Sequence, residues 1–176
     1  DPQTQKIRDN ANKTNKGNDA NLGSFDWGKG KTKTRELLAN PYKLNSRRDV
    51  LINTITDVLR EQKIIVDESA SRLNEGIIVT QPFVFAKGAV ITRNELTRYA
   101  VLTGDTVWTR GRYTLTIEVQ SIDGIQNNVS VLAKVEGRSE NGLTSEWSTL
   151  PSTGIAEDEF MVKLVEMVTG ATPEGI

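Results

Sequence analysis

Residues 45–84 read NSRRDVLINTITDVLREQKIIVDESASRLNEGIIVTQPFV, and the fold is decided there. The run opens on a helix signal, Ser46-Arg47-Arg48-Asp49, in which Ser46 can accept from an early backbone N–H and Asp49 favours the positive helix end. Leu51, Ile55, Val58 and Leu59 then recur at helical spacing, with Ile52 flanking and Arg48, Thr56, Arg60 and Glu61 on the wet side. This predicts a one-face-buried helix ending near Gln62. Ile64 to Val66 is a β-branched run, Asp67 to Glu75 is polar, and Gly76-Ile77-Ile78-Val79-Thr80 is a second such run stopped by Pro82. A hairpin or an adjacent strand pair is expected, and the unit reads as a scaffold rather than an active site.

Working outward, residues 86–107 admit two readings. Thr92-Arg93-Asn94-Glu95 resembles a capping box ahead of a short stripe of Ile91, Leu96, Tyr99 and Leu102, and a long inter-strand loop is the alternative. From Trp108 the pattern is plain: Tyr113, Leu115, Ile117 and Val119 alternate with Thr114, Thr116, Glu118 and Gln120. Asp123-Gly124 and Asn127-Asn128 supply a turn, and Val129, Val131, Ala133 and Val135 alternate back. Asn141-Gly142 marks a tight hairpin into a strand around Trp147. After Pro151 helical spacing returns through Ile155, Met161, Leu164, Val165 and Val168, with Glu157, Asp158 and Glu159 in the first turn and Gly170 closing it. The expected fold is α+β: an antiparallel sheet with two helices on one face, helix-grip-like, preceded by a long irregular N-terminal extension. Its core should join Leu51, Ile55, Val58, Leu59, Ile77, Val79, Leu115, Ile117, Val131, Val135, Leu164 and Val168.

The 176 residues suffice for one domain with a core plus an extension. The division expected is an extended or disordered polar arm over 1–44, a single α+β domain over 45–170, and a C-terminal tail over 171–176. The arm holds nine Lys/Arg and five Asp/Glu against thirteen and eighteen in the rest, so it is about +4 on a body of about −5. Its apolar residues, Ile7, Leu22, Phe25, Trp27, Leu37 and Leu38, follow no period. They cannot offset the entropy of ordering forty-four residues, so the arm is expected to lie along a partner, anchored by Phe25 and Trp27, and to add nothing to the stability of the body.

Composition narrows the chemistry. The chain has neither His nor Cys, so the commonest bases, nucleophiles and transition-metal ligands are missing, and no thiol or disulfide chemistry is open to it. The dense carboxylate run Glu157-Asp158-Glu159 points in successive directions around a helix and cannot converge on one ion. Asp67, Glu75, Glu118 and Asp123 have no feature that pairs two of them as general acid and base, and Tyr99 and Tyr113 offer nothing more specific. Gly23 to Lys29 spells G-x-x-x-x-G-K, but Gly30 stands where a phosphate loop needs Ser or Thr and no strand precedes it. A body of net negative charge is a poor nucleic-acid platform. No catalytic, cofactor-binding or metal-binding residue is therefore expected, and no nucleic-acid partner. Mean hydropathy is −0.42 with no apolar run near membrane-spanning length, which excludes a transmembrane helix. The first residues, Asp1 and Pro2, imply that an N-terminal piece has been removed, and a secretory signal peptide is one explanation.

The stretch Asp49 to Phe83, V-x-x-x-I-x-x-V-L-x-x-x-x-I-x-V-D-x-x-x-x-x-x-x-G-I-I-V-T-x-P-F, resembles the repeat of the BamC-type lipoproteins of the β-barrel assembly machinery. The resemblance implies a helix-grip sheet closed by a C-terminal helix, a non-catalytic role, and an N-terminal segment lying along a partner subunit. That family usually carries two such domains where one is present here, and its acylated Cys would have to lie upstream of Asp1. A second resemblance, to LptE-type lipoproteins, rests on two helices on one sheet and a strand like Arg112 to Asp123. Together they imply a non-enzymatic cell-envelope protein of the periplasm or outer membrane, tethered through a residue upstream of Asp1. It would be a docking or structural subunit of a membrane-associated complex, with protein subunits as partners. The residues expected to meet those partners are Phe25, Trp27, Leu37, Leu38, Trp108 and Trp147. The alternative is a small apolar ligand or lipid held in the groove between sheet and long helix.

Overall fold

A computed structural model describes residues 24–25, 35–91, 93–141 and 144–173. The strands are β1 (Ser24–Phe25), β2 (Arg35–Glu36), β3 (Tyr42–Leu44), β4 (Ile77–Val79), β5 (Phe83–Lys87), β6 (Arg110–Asp123), β7 (Gln126–Asn141) and β8 (Thr144–Leu150). The helices are α1 (Arg48–Glu61), α2 (Arg93–Thr97) and α3 (Ile155–Thr169). Among the described residues β1 pairs only with β2, and the other six strands form one open antiparallel sheet.

The long β6–β7 hairpin is the spine of that sheet, and each of its two edges carries two short strands end to end. β4 and β5 pair with successive parts of β6, while β3 and β8 pair with opposite ends of β7. The alternation read from the sequence holds: Tyr113, Leu115, Ile117, Val119, Val129, Val131, Ala133 and Val135 all face the core. α1 buries Leu51, Ile55, Val58 and Leu59, and α3 buries Phe160, Met161, Leu164 and Val165 on the same face of the sheet. The architecture is therefore α+β with two long helices on one face, and the short helix α2 occupies the stretch that sequence left between helix and loop.

Where two short strands share an edge, a gap is left between them, and side chains fill it. On β7 the Asn40 amide donates to Val131 O at 2.7 Å and accepts from Val131 N–H at 3.0 Å, doing the work of a missing strand residue. The Glu157 carboxylate accepts from the Ala133 N–H just beyond. On β6 the gap is closed by Thr80, 2% exposed, whose backbone N–H donates to Leu115 O and whose hydroxyl accepts from Leu115 N–H. Buried backbone groups must be paired, and three side chains here complete the accounting.

Five expectations are corrected. The body begins before residue 45: Leu38, Ala39 and Leu44 are buried, and β3 is a strand of the sheet, because Asp158 accepts from the Leu38 N–H at 2.7 Å and Asn40 docks on Val131. The phase of β4 is opposite to that expected, since Ile78 pairs with inward-facing Ile117 and is fully buried while Ile77 and Val79 are half-buried on the other face. Ser46 does not cap α1; the N-cap is Arg47, without a side-chain bond, and Ser46 instead accepts from Asn127 through its carbonyl. Asn127 and Asn128 lie within β7, the hairpin turning at Gly124 and Ile125. Ile64 to Val66 is no full strand either, making a single bridge from Val66 to Thr80 on the outer edge of β4. Gly76 is required where it stands: its φ is 76°, and a Cβ would lie 2.6 Å from the Val119 carbonyl oxygen that packs on it.

Candidate functional site: the open face of the sheet

The helices cover one face of the sheet, and the strand period sends every second residue of β6, β7 and β8 to the other. The hairpin registers set those residues side by side. Arg112 stands opposite Glu136, Thr114 opposite Lys134 and Thr116 opposite Leu132, while Trp147 of β8 stands opposite Arg138. Leu132 is 68% exposed and Val84 of β5 is 45% exposed on the same face. In this otherwise solvated surface one cluster is fixed. Arg112 Nε donates to Glu136 Oε1 at 2.9 Å, Lys134 Nζ lies 3.9 Å from Glu136 Oε2, and the Arg112 guanidinium sits 3.9 Å over the Trp147 ring. Arg138 reaches to 6.0 Å of that ring as well. Glu136 is only 8% exposed in this company. A guanidinium over an indole is held by the ring quadrupole, so Trp147 is an ordered aromatic platform with cations around it, and apolar Val84 stands across from Arg112.

The other residues expected to meet partners are placed differently. Leu38 is a core position, and Leu37 lies against Gly154, its Cδ1 2.9 Å from where a Cβ there would be. Trp108 faces the core, because Gly137 leaves room for its ring: a Cβ at 137 would lie 2.8 Å from Trp108 Cε3. The backbone of Phe25 pairs with Arg35 in the small β1–β2 ladder. Trp27 lies outside the described residues, as does the greater part of the G-x-x-x-x-G-K run. Among those of the six whose side chains are described, Trp147 alone is brought into a cluster on the open face.

The carboxylates considered for acid–base work are each engaged locally, and no two of them meet. Asp67 accepts from Ser69 Oγ and from the Ser69 and Ala70 N–H groups, and these bonds, that of the Ser69 hydroxyl foremost, hold its carboxyl below the usual carboxylate range. Glu75 pairs with Arg72, Glu118 accepts from Gln120, and Asp123 accepts from the turn amides of Ile125 and Gln126. The α3 trio diverges as expected: Glu157 accepts from Ser152 Oγ, Asp158 from the Leu38 N–H, and Glu159 from the Tyr99 hydroxyl with Arg98 beside it. Tyr99 and Tyr113 lie in one ring cluster, 5.2 Å apart, with Phe83 and Phe85. Burial, and then the Glu159 carboxylate, push the Tyr99 hydroxyl up to about 12, so at neutral pH it is a donor that pins residues 98–101 to the start of α3. Among the described residues no group of carboxylates converges to hold a metal ion.

Glu157 gives a pH-dependent signature. Burial pushes its carboxyl up, so the folded protein favours the protonated form more than the unfolded chain does. The stabilisation this represents is complete below the ordinary glutamate range and is lost as pH rises through the raised folded value. Glu157→Gln should therefore gain stability relative to the parent between pH 4 and pH 7, read as the difference in melting temperature at each pH. A difference that stays flat across that interval would refute it.

No protein-family model matches the chain, and no curated protein sequence matches it significantly.

What sequence reading missed at this site was the company of Trp147. The signal was present: the turn-forming pairs Asp123-Gly124 and Asn141-Gly142 mark two hairpins in the sequence, and the registers of those three strands place Arg112, Glu136, Arg138 and Trp147 on one face.

Proposed function

We propose that the protein is a non-enzymatic docking subunit of a larger, membrane-associated assembly of the cell envelope, and that it presents the open sheet face to a protein partner. The observation that carries the reading is the fixed Arg112–Trp147 stack beside exposed Val84, with exposed Leu132 farther along the same face. Interface hot spots are enriched in Trp and Arg held in place before binding, and this pair is ordered by Glu136 without a partner. The envelope setting rests on the resemblance of residues 49–83 to the BamC-type repeat. Among the described residues no helix is long and apolar enough to cross a membrane, so association with one would come through a partner or a tether. The alternative of a ligand between sheet and long helix meets a filled space, because Leu51, Ile55, Val58 and Leu59 are each 0% exposed there.

The test is recovery of the full chain, tagged, from the envelope fraction of the cells that make it. Trp147→Ala combined with Leu132→Glu should lose a stoichiometric partner at least tenfold, whereas Lys163→Ala, on the helix side, should retain it. Equal recovery from all three forms, or a chain found only away from membranes, would sink the proposal.

A further inference from the structure

A groove lies along the outer flank of α1, between it and the segment that borders β4. A cleft of about 870 Å³ runs between α1 and the segment from Lys63 to Leu73. A shallower depression of about 570 Å³ continues it past Arg47, Arg48 and Gly124, and Ile52 and Leu73 line both. The groove therefore follows α1 from Arg48 to Arg60, about 18 Å at 1.5 Å per residue. That is the span of an extended peptide of about five or six residues.

Three independent features agree on the occupant. The first is an open strand edge. Ile65 O and Asp67 N–H bond across to Gln81 and Val79, so the intervening Val66 turns its N–H and C=O the other way. Val66 lines the groove, and among the described residues no hydrogen bond reaches either group. The second is apolar exposure at alternate depth, with Ile65 62% and Leu73 45% exposed beside half-buried Ile52. The third is charge. Arg47, Arg48, Arg60 and Lys63 line the groove against Asp49 and Glu68, a net positive strip on a body of about −5. Arg47 and Arg60 are paired with Asp49 and Asp57 at the exposed surface, while Lys63 meets no carboxylate among the described residues. Lys63 also holds φ 63°, a left-handed position after the helix end where glycine is the usual residue.

We infer that this groove takes an extended acidic peptide segment of a partner protein, added alongside Val66 with alternate apolar side chains against Ile52, Ile65 and Leu73. The chain's own N-terminal arm, about +4, has the wrong sign for the site. Strand addition draws affinity from main-chain hydrogen bonds and specificity from alternate side chains.

The experiment pans a display library of random decapeptides against the full chain, with the Lys63→Glu/Ile65→Asp double variant as counter-target. Both replaced side chains are exposed or at the rim, and a melting curve confirms that the variant folds. Enriched peptides should alternate apolar and acidic residues and should bind the double variant at least tenfold more weakly. The synthetic peptide should slow hydrogen exchange at the Val66 amide, and N-methylation of its central residue should cost at least tenfold in affinity. Enrichment of basic peptides, of apolar residues at helical spacing, or of nothing that distinguishes the two targets would overturn the inference. So would an unchanged Val66 amide. Binding of laurate that displaces the peptide would make the groove a lipid site instead, and dimerisation abolished by Ile65→Asp would assign it to a second copy.

Discussion

A chain lacking residues 1–44 is expected to be unfolded at temperatures where a chain lacking only residues 1–34 is fully folded. The shorter deletion ends before the first body contact described, that of Leu37 with Gly154. The longer one removes β3 and two buried leucines, Leu38 and Leu44, each worth about 1.5–3 kcal/mol on burial. It also strips the Leu38 N–H from the Asp158 carboxylate, which is 5% exposed, and a bond to a charged group contributes about 1.5–3 kcal/mol. Val131 loses both of its Asn40 bonds in the same step. These losses rival the whole stability of an ordinary domain, about 5–15 kcal/mol. Circular dichroism melts of the three forms decide the matter. A 45–176 fragment that melts within a few degrees of the full chain would show that residues 37–44 are dispensable after all.

Replacing Phe160 by Ala should cost about 3–5 kcal/mol, and Leu59→Ala about 2–5 kcal/mol. Phe160 is 1% exposed and Leu59 0%, and they come from the two helices that meet over the sheet, so each truncation opens a cavity that neighbours from three elements would have to fill. Leu132→Ala, at a site 68% exposed, should stay within about 0.5 kcal/mol and serves as the control. Urea denaturation at neutral pH measures all three. A loss below about 1 kcal/mol at Phe160 or Leu59 would mean that the helix faces have been misassigned.

The parts of the fold that could be read from sequence are those whose period repeats. α1 shows four core positions in nine residues, and β6 and β7 alternate over their full inner faces, so the helix, the hairpin and the sheet face were all legible. β4 was not, because Gly76-Ile77-Ile78-Val79-Thr80 is apolar throughout and has no phase of its own; its register is imposed by β6. β3 is three residues long, too short to show a period, and its attachment depends on Asn40 and Asp158, whose partners lie 91 and 120 residues away. Thr80 and Glu157 fill edges at Leu115 and Ala133, 35 and 24 residues away, and no local pattern marks that role. At the candidate site, Trp147 was visible as an aromatic on a strand, but whether it faced in or out required the register of two hairpins to be carried through.

The bond from the Leu38 amide to Asp158 spans 120 residues, and this separation orders events during synthesis. The N-terminal segment leaves the ribosome first, yet the carboxylate that receives it lies in the last helix. At about 5–20 residues per second, those 120 residues take about 6–24 s to appear. For most of that interval the strand Tyr42–Leu44 lacks Val129, and throughout it lacks α3 to dock against. A nascent chain can close the β6–β7 hairpin, but it cannot seal that edge until translation is nearly finished. The segment is thus a late-closing clasp: a chain cut short before α3 lacks the carboxylate that fastens it.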